Sequence, residues 1–344
     1  MDIQQNISLK PFNTLAINAQ ARYFVDINKK KQVPEAIAFA QQRQLPVLIL
    51  GGGSNIVLTG NFPGLVIKMS LLGFEFIHAA SEPRRVYVNA AAGENWQSLV
   101  QACLNKNYYG LENLSLIPGR VGAAPIQNIG AYGVALAHCF ESLEGWDCDA
   151  GCWKTLNAKQ CEFGYRDSVF KHALKDRFVI TSVTLALSLD PQVQISYGVL
   201  KGELEKQGLN TVINAVTPQQ VASTVIKIRR SKLPDPIETP NVGSFFKNPS
   251  ISAESFSRVK KNYPQIVSYQ QDNGCYKLAA GWMLEHAGWR GKKRGAVGMH
   301  SAQSLVLVNY GKATSQNVLD LAKHIQQDIQ QQFGVLLEIE PAIY

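Results

Sequence analysis

The stretch 118–133, PGRVGAAPIQNIGAYG, limits what this chain can fold into more than any other segment. Four glycines and two prolines fall within it. Proline removes a backbone donor and glycine loosens the chain, so neither a regular helix nor a regular strand can run through it. It is also too apolar for a solvated linker, so its backbone packs closely against something else. Small residues let a flat ligand lie on main chain. Gln127 and Asn128 offer amides to the edge of a heteroaromatic ring. A tightly packed structural loop meets the same description, but the length of the glycine pattern favours a ligand.

Around this stretch the chain alternates strands and helices. The spacing predicts a helix over 33–44, with Pro34 in its first turn, then a buried strand over the apolar run 45–50. That run ends in GGGSN: Gly51, Gly52, Gly53, Ser54 and Asn55. Strands are expected at 65–69 and 85–91, and a helix at 96–106 capped by Asn95. Thr217-Pro218-Gln219-Gln220 reads as a helix start, with a threonine cap, proline at the first position and glutamine at the third. Val221, Val225 and Ile228 give that helix its apolar face. Three prolines make 233–242 an irregular connection and a domain boundary. Apolar residues at helical spacing from Val318 to Phe333 predict a last helix stopped by Gly334, with a final strand over 335–340.

At 344 residues the chain is too long for one ordinary core, so two or three domains are expected. Its longest apolar runs fall far short of the ~20 residues a bilayer requires, and no secretory signal is legible. Six cysteines without a CxxC pair read as reduced thiols in a cytoplasmic protein, and no metal site is expected. The net charge is +8, with basic runs at 227–232 (KIRRSK) and 290–294 (RGKKR). A basic stripe is the footprint of nucleic acid, but no interleaved aromatics or nucleic-acid module accompany these runs. Small phosphorylated ligands, or plain solvation, account for them equally well.

Individual chemical groups leave their roles open. Bare glycine backbone and the donors of Ser54 and Asn55 could bind an anion, yet GGGSN fits neither GxGxxG nor the P-loop. Arg166, in FGYRDS, could grip a carboxylate bidentately or pair with Asp167. Ser244, in GSFFKNP, has no GxSxG elbow, so a hydrolase nucleophile is not indicated. Its hydroxyl could instead give a proton to a developing carbanion, or be an ordinary loop hydroxyl. Glu338 and Glu340 fall on one face if their segment is a strand.

Taken in order, these segments resemble one family, the UDP-N-acetylenolpyruvoylglucosamine reductases of peptidoglycan synthesis, and the longer, first type within it. The matching pieces are NTLAI (13–17), GGGSN, AGENW (92–96), GLENLSLIPG (110–119), PIQNIGAYG (125–133), FGYRDS (163–168), Tyr197-Gly198, KLPDP (232–236), GSFFKNP (243–249) and KLAAGW (277–282). They span nearly the whole chain.

The resemblance implies an α+β fold. It comprises a two-part FAD-binding region of the vanillyl-alcohol-oxidase type and a smaller α/β substrate-binding domain. The divisions are 1–72 with 334–344 returning to it, 73–231, and 232–333. It also implies NADPH-dependent reduction of UDP-N-acetylglucosamine enolpyruvate to UDP-N-acetylmuramate through non-covalent FAD, by a cytoplasmic monomer with no nucleic-acid or membrane partner. The residues implied to hold FAD are Gly51, Gly52, Gly53, Ser54 and Asn55, together with Pro118, Gly119, Gly122, Ala123, Gln127, Asn128, Gly130, Ala131, Tyr132 and Gly133. By the same resemblance Arg166 and Glu340 are expected to stabilise the enolic form and Ser244 to donate the proton, with Tyr197, Lys232, Asn248 and Gln303 contacting the substrate. The last strand departs from the family pattern, reading Leu-Glu-Ile-Glu-Pro, so Glu338 is a rival to Glu340.

Two other functions fit less well. A sugar oxidase of the same fold would need an oxygen-reactive flavin and a covalent anchor. A non-catalytic nucleotide-sugar-binding homologue would be expected to have lost Arg166, Ser244 or Glu340.

Overall fold

The computed structural model describes residues 1–209, 211 and 215–344. By contacts the chain divides into two units, one of residues 1–7, 21–52 and 63–231, the other of residues 8–20, 53–62 and 232–344. The chain leaves the first unit inside the GGGSN turn, between Gly52 and Gly53. Among the described residues no helix is long and apolar enough to cross a membrane.

The first unit is built on two sheets. One has four strands in the order Ile3–Ser8, Gln20–Ile27, Phe62–Met69, Val47–Leu50, the last two parallel. The helix Gln32–Gln42 covers it, burying Val33, Ala36, Ile37 and Ala40 against Val25, Ile27, Leu65 and Ile67. The other is antiparallel with five strands, Cys152–Asn157, Phe140–Asp147, Phe178–Ser188, Arg85–Ala91 and Phe74–His78. The helix Trp96–Asn105 packs on it through Trp96, Leu99, Val100 and Cys103, and Asn95 caps that helix by accepting from Ser98 N. Helices Gly198–Lys206 and Pro218–Lys232 share a smaller core of Leu200, Leu204, Val221, Val225 and Ile228. The predicted capping box is present, with Gln220 N donating to Thr217 Oγ1 and Thr217 N donating to Gln220 Oε1.

The second unit holds a four-stranded sheet, in the order Asn241–Ser244, Val306–Asn309, Val297–Met299, Lys293–Arg294. The long helix Ser315–Phe333 buries Val318, Leu321, Ile325 and Ile329, and ends at Gly334 in the left-handed conformation. The strand expected over 335–340 does not form. That segment makes a single antiparallel bridge, Phe246 to Ile339; beyond it Phe245 N donates to Leu305 O and Ala342 N to Asn55 O, so the ladder is not extended. The chain pairs again at Ala342–Ile343, in parallel with Ile56–Val57.

Candidate functional site

In the first unit the glycine-rich segment carries a tight turn. Gly164 and Asp167 exchange backbone bonds, which leaves Arg166 at the tip with φ 53°. Three bonds dock this turn on alternate residues of the segment. Ser168 Oγ donates to Ile126 O at 2.6 Å, Asn128 Nδ2 to Gly164 O at 2.9 Å, and Arg166 Nη2 to Gly130 O at 2.7 Å. A side chain at Gly130 would stand 3.1 Å from Arg166 Nη1, so glycine there makes room for the guanidinium. Asp167 has another use, since both its oxygens lie within 2.9 Å of His172 Nε2.

Asn128, predicted to offer its amide to a ring, has both ends engaged within the protein, because its Oδ1 also accepts from Ala137 N. Gly122 packs against Ala92 and donates to its carbonyl. Gly51 faces Ala123 and Arg120. Gly119, Tyr132 and Gly133 all take positive φ, so the backbone turns repeatedly along the stretch that also holds Pro118, Ala123, Gln127 and Ala131. Tyr132 meets the exposed Tyr197 edge to face, ring centres 5.7 Å apart. Asn113 ties both neighbourhoods together, donating to Tyr132 O and Gln194 O.

Reading residue by residue missed Arg229. It lies within KIRRSK, a run that reads as surface charge, yet its Nε donates to Leu116 O at 3.1 Å. Burial lowers its guanidinium pKa, Tyr132 raises it, and the Arg166 charge lowers it again. Burial pushes the Tyr132 hydroxyl up, against the pull of Arg229. Two guanidiniums that repel each other in a half-buried place make a strong field for an anion. The available signal was helical spacing, since Arg229 follows Val221 and Val225 on the inward face.

In the second unit, Ser244 ends the edge strand Asn241–Ser244. Gly243 has φ +72°, and the register against Val306–Asn309 shifts between Asn241 and Ser244. A bulge of this kind re-aims the side chain that follows it. Beyond it, Phe245 and Phe246 are fully buried, and Glu340 N donates to Phe245 O. Glu340 is therefore brought alongside the Ser244 segment, and only 9% of it is exposed.

Glu338 is separated from Glu340 by environment. Its exposed carboxylate pairs with Lys247 Nζ. The two glutamates thus differ in exposure, Glu338 facing solvent and Glu340 lying buried. Asn248 and Gln303 converge on one helix start. Asn248 Oδ1 accepts from Ala280 N at 2.9 Å, and Gln303 Oε1 stands 3.6 Å from where a Gly281 side chain would begin. Lys232 is exposed at the end of its helix. Ser54 and Asn55 are half-buried, and Asn55 O accepts from Ala342 N.

Known proteins resemble this chain throughout its length. Residues 21–155 match an FAD binding domain, and residues 235–344 match the C-terminal domain of UDP-N-acetylenolpyruvoylglucosamine reductase. The UDP-N-acetylenolpyruvoylglucosamine reductase of Pseudomonas syringae pv. syringae is 46% identical over 344 residues, covering 100% of this chain and 99% of its own. That of Pseudomonas aeruginosa is 44% identical with the same coverage. That of Ralstonia nicotianae is 46% identical over 332 residues, 96% of each chain. The crystal structure of UDP-N-acetylenolpyruvylglucosamine reductase from Thermus caldophilus superposes with a TM-score of 0.68 at 21% identity, over 100% of this chain and 99% of that one, and shows the fold. The fold class expected from sequence, an FAD-binding region with a smaller α/β domain, is the one found.

The residues present fit FAD. A side chain at Gly52 would stand 3.1 Å from Gly119 Cα, so the two glycine segments pack backbone against backbone. Glycine backbone of this kind can turn its N–H groups toward a flat ring system and a diphosphate without a side chain in the way.

Proposed function

Because the chain belongs to the UDP-N-acetylenolpyruvoylglucosamine reductase family, we propose that it reduces UDP-N-acetylglucosamine enolpyruvate to UDP-N-acetylmuramate with NADPH, through FAD, for peptidoglycan synthesis. The observation that carries the reading is the docking of Arg166 onto the glycine-rich segment through Gly130 O. FAD, when bound, supplies the hydride that NADPH has given it.

The residues of the chain do the rest. Hydride adds to the methylene carbon of the enol ether, and negative charge develops at the adjacent carbon and spreads into the carboxylate. Arg166, with Arg229 behind it, supplies positive charge for that anion. Glu340 assists the aci-carboxylate form. Ser244 Oγ gives its proton to the adjacent carbon, and solvent then reprotonates the serine oxygen. Tyr197, Lys232, Asn248 and Gln303 hold the nucleotide sugar, Lys232 being suited to its diphosphate. Gly51, Gly52, Gly53, Ser54, Asn55 and the 118–133 segment hold FAD without a covalent bond. The two separate sheets of the first unit support a two-part FAD-binding region, 1–72 and 73–231, ahead of a substrate domain over 232–333. A cytoplasmic monomer fits a reaction whose two substrates are soluble nucleotides. The net charge of +8 suits two polyanionic substrates.

The test is optical. The purified protein is expected to be yellow, and NADPH should bleach it without oxygen. The enolpyruvyl nucleotide sugar should then restore the colour. Bleaching without substrate-dependent recovery would overturn the reading.

A further inference from the structure

The NTLAI motif has no part in the chemistry above, yet it sits where that chemistry is aimed. Asn13 is buried and closes the loop on itself, with Nδ2 donating to Leu9 O and Ile17 O and Oδ1 accepting from Ile17 N at 2.9 Å. This holds Thr14 at a junction. Thr14 N donates to Gly53 O at 3.0 Å, in the GGGSN turn. Thr14 Oγ1 donates to Asn241 O at 2.6 Å, and Asn241 N donates back to Thr14 O at 3.0 Å. Thr14 therefore grips both polar groups of the Asn241 main chain, three residues before Ser244.

Asn241 passes that hold forward. Its Oδ1 accepts from Gly243 N at 2.9 Å, across the bulge, while its Nδ2 donates to Pro234 O and Thr239 O. The strand ladder does not define a bulge, because its register is interrupted there. Thr14 thus holds the main chain of Asn241, and the Asn241 side chain holds Gly243, the residue before Ser244. The loop is braced once more where Asn309 Nδ2 donates to Leu15 O at 2.9 Å.

We infer that Thr14 is a positioning residue for proton transfer: its hydroxyl, acting through Asn241, sets the angle at which Ser244 is presented. The inference rests on the role of Ser244 proposed above. Proton transfer is sensitive to placement, since shifts near 1 Å can cost about a hundredfold.

The test uses the FAD-loaded full chain and follows the two half-reactions separately. Thr14→Val keeps the side-chain shape and the backbone bonds but removes the hydroxyl, and Thr14→Ser keeps the hydroxyl. Thr14→Val should leave bleaching by NADPH within about twofold of the parent. It should slow recovery of colour by the enolpyruvyl nucleotide sugar about tenfold, with a larger solvent deuterium isotope effect on that step. Thr14→Ser should restore the parent rate. Equal slowing of both half-reactions, unchanged recovery, or no rescue by serine would overturn the inference. If Thr14→Val does not fold with FAD, Thr14→Ala is read in its place against the same outcomes. A parent protein that never regains colour refutes the proposed function instead. A parent that recovers, with Ser244→Ala recovering equally fast, refutes the role of Ser244.

Discussion

The two units hold their reactive side chains in opposite ways. Arg166 is held by its own neighbourhood, on a turn of four residues with φ 53°, docked at three points on the glycine-rich segment. Ser244 is held from a distance, by a bulge whose shape comes from Asn241 and, through it, from Thr14. The first arrangement makes one rigid body of the arginine and the proposed flavin surface. The second places Ser244, the proposed proton donor, at the end of an edge strand. Damage near Arg166 should therefore reach both half-reactions, while damage near Ser244 should reach only one.

The largest effects test this contrast directly. Ser244→Ala should slow recovery of colour by about 10²–10⁴-fold and leave bleaching by NADPH unchanged. Arg166→Lys loses the fork that reaches Gly130 O, and should slow recovery by about 10²–10³-fold while also disturbing bleaching. Stopped-flow absorbance separates the two steps, and a Ser244→Ala protein slow in both would break the comparison.

The glutamates come next. Glu340→Gln should lower kcat by about a hundredfold, because its carboxylate is buried beside the Ser244 segment. Glu338→Gln should change kcat by less than about twofold, since its carboxylate is exposed and pairs with Lys247 away from the Ser244 segment's buried side. Equal effects in steady-state assays would return the two residues to rivalry.

A finer probe is Gly130→Ala. The added carbon would stand 3.0 Å from Val134 O and 3.1 Å from Arg166 Nη1, so the guanidinium must shift by a few tenths of an ångström. A fall in kcat of about tenfold with normal FAD content is expected.

The smallest effect concerns Glu112, buried beneath the same segment and accepting from Gly110 N. Burial raises its pKa. The stability it contributes is therefore full below its unfolded value and falls as pH rises through its folded value. Glu112→Gln keeps the acceptor without the charge. It should raise the neutral-pH melting midpoint by roughly 2 °C, and flatten the decline from acid to neutral pH.

Much of this was legible beforehand where the determinant was local. The helix at Trp96–Asn105 with its Asn95 cap, the Thr217 capping box and the Gly334 stop all depend on residues within one turn of each other. The strand expected over 335–340 failed because alternation alone says nothing about a partner, and the next donors, Phe245 N and Ala342 N, bond Leu305 O and Asn55 O instead. Arg229 was hidden because a basic run reads as surface until its helix is packed.

By itself the sequence determined that 118–133 must be an irregular, backbone-rich surface, because glycine and proline restrict conformation wherever they stand. Its ordered motifs determined the family. Only the tertiary structure decided that Glu340 is buried while Glu338 is exposed, and that Thr14 grips the strand of Ser244 across 227 residues of sequence. Burial and long-range hydrogen bonds belong to pairs of segments, and no single stretch of chain encodes its partner.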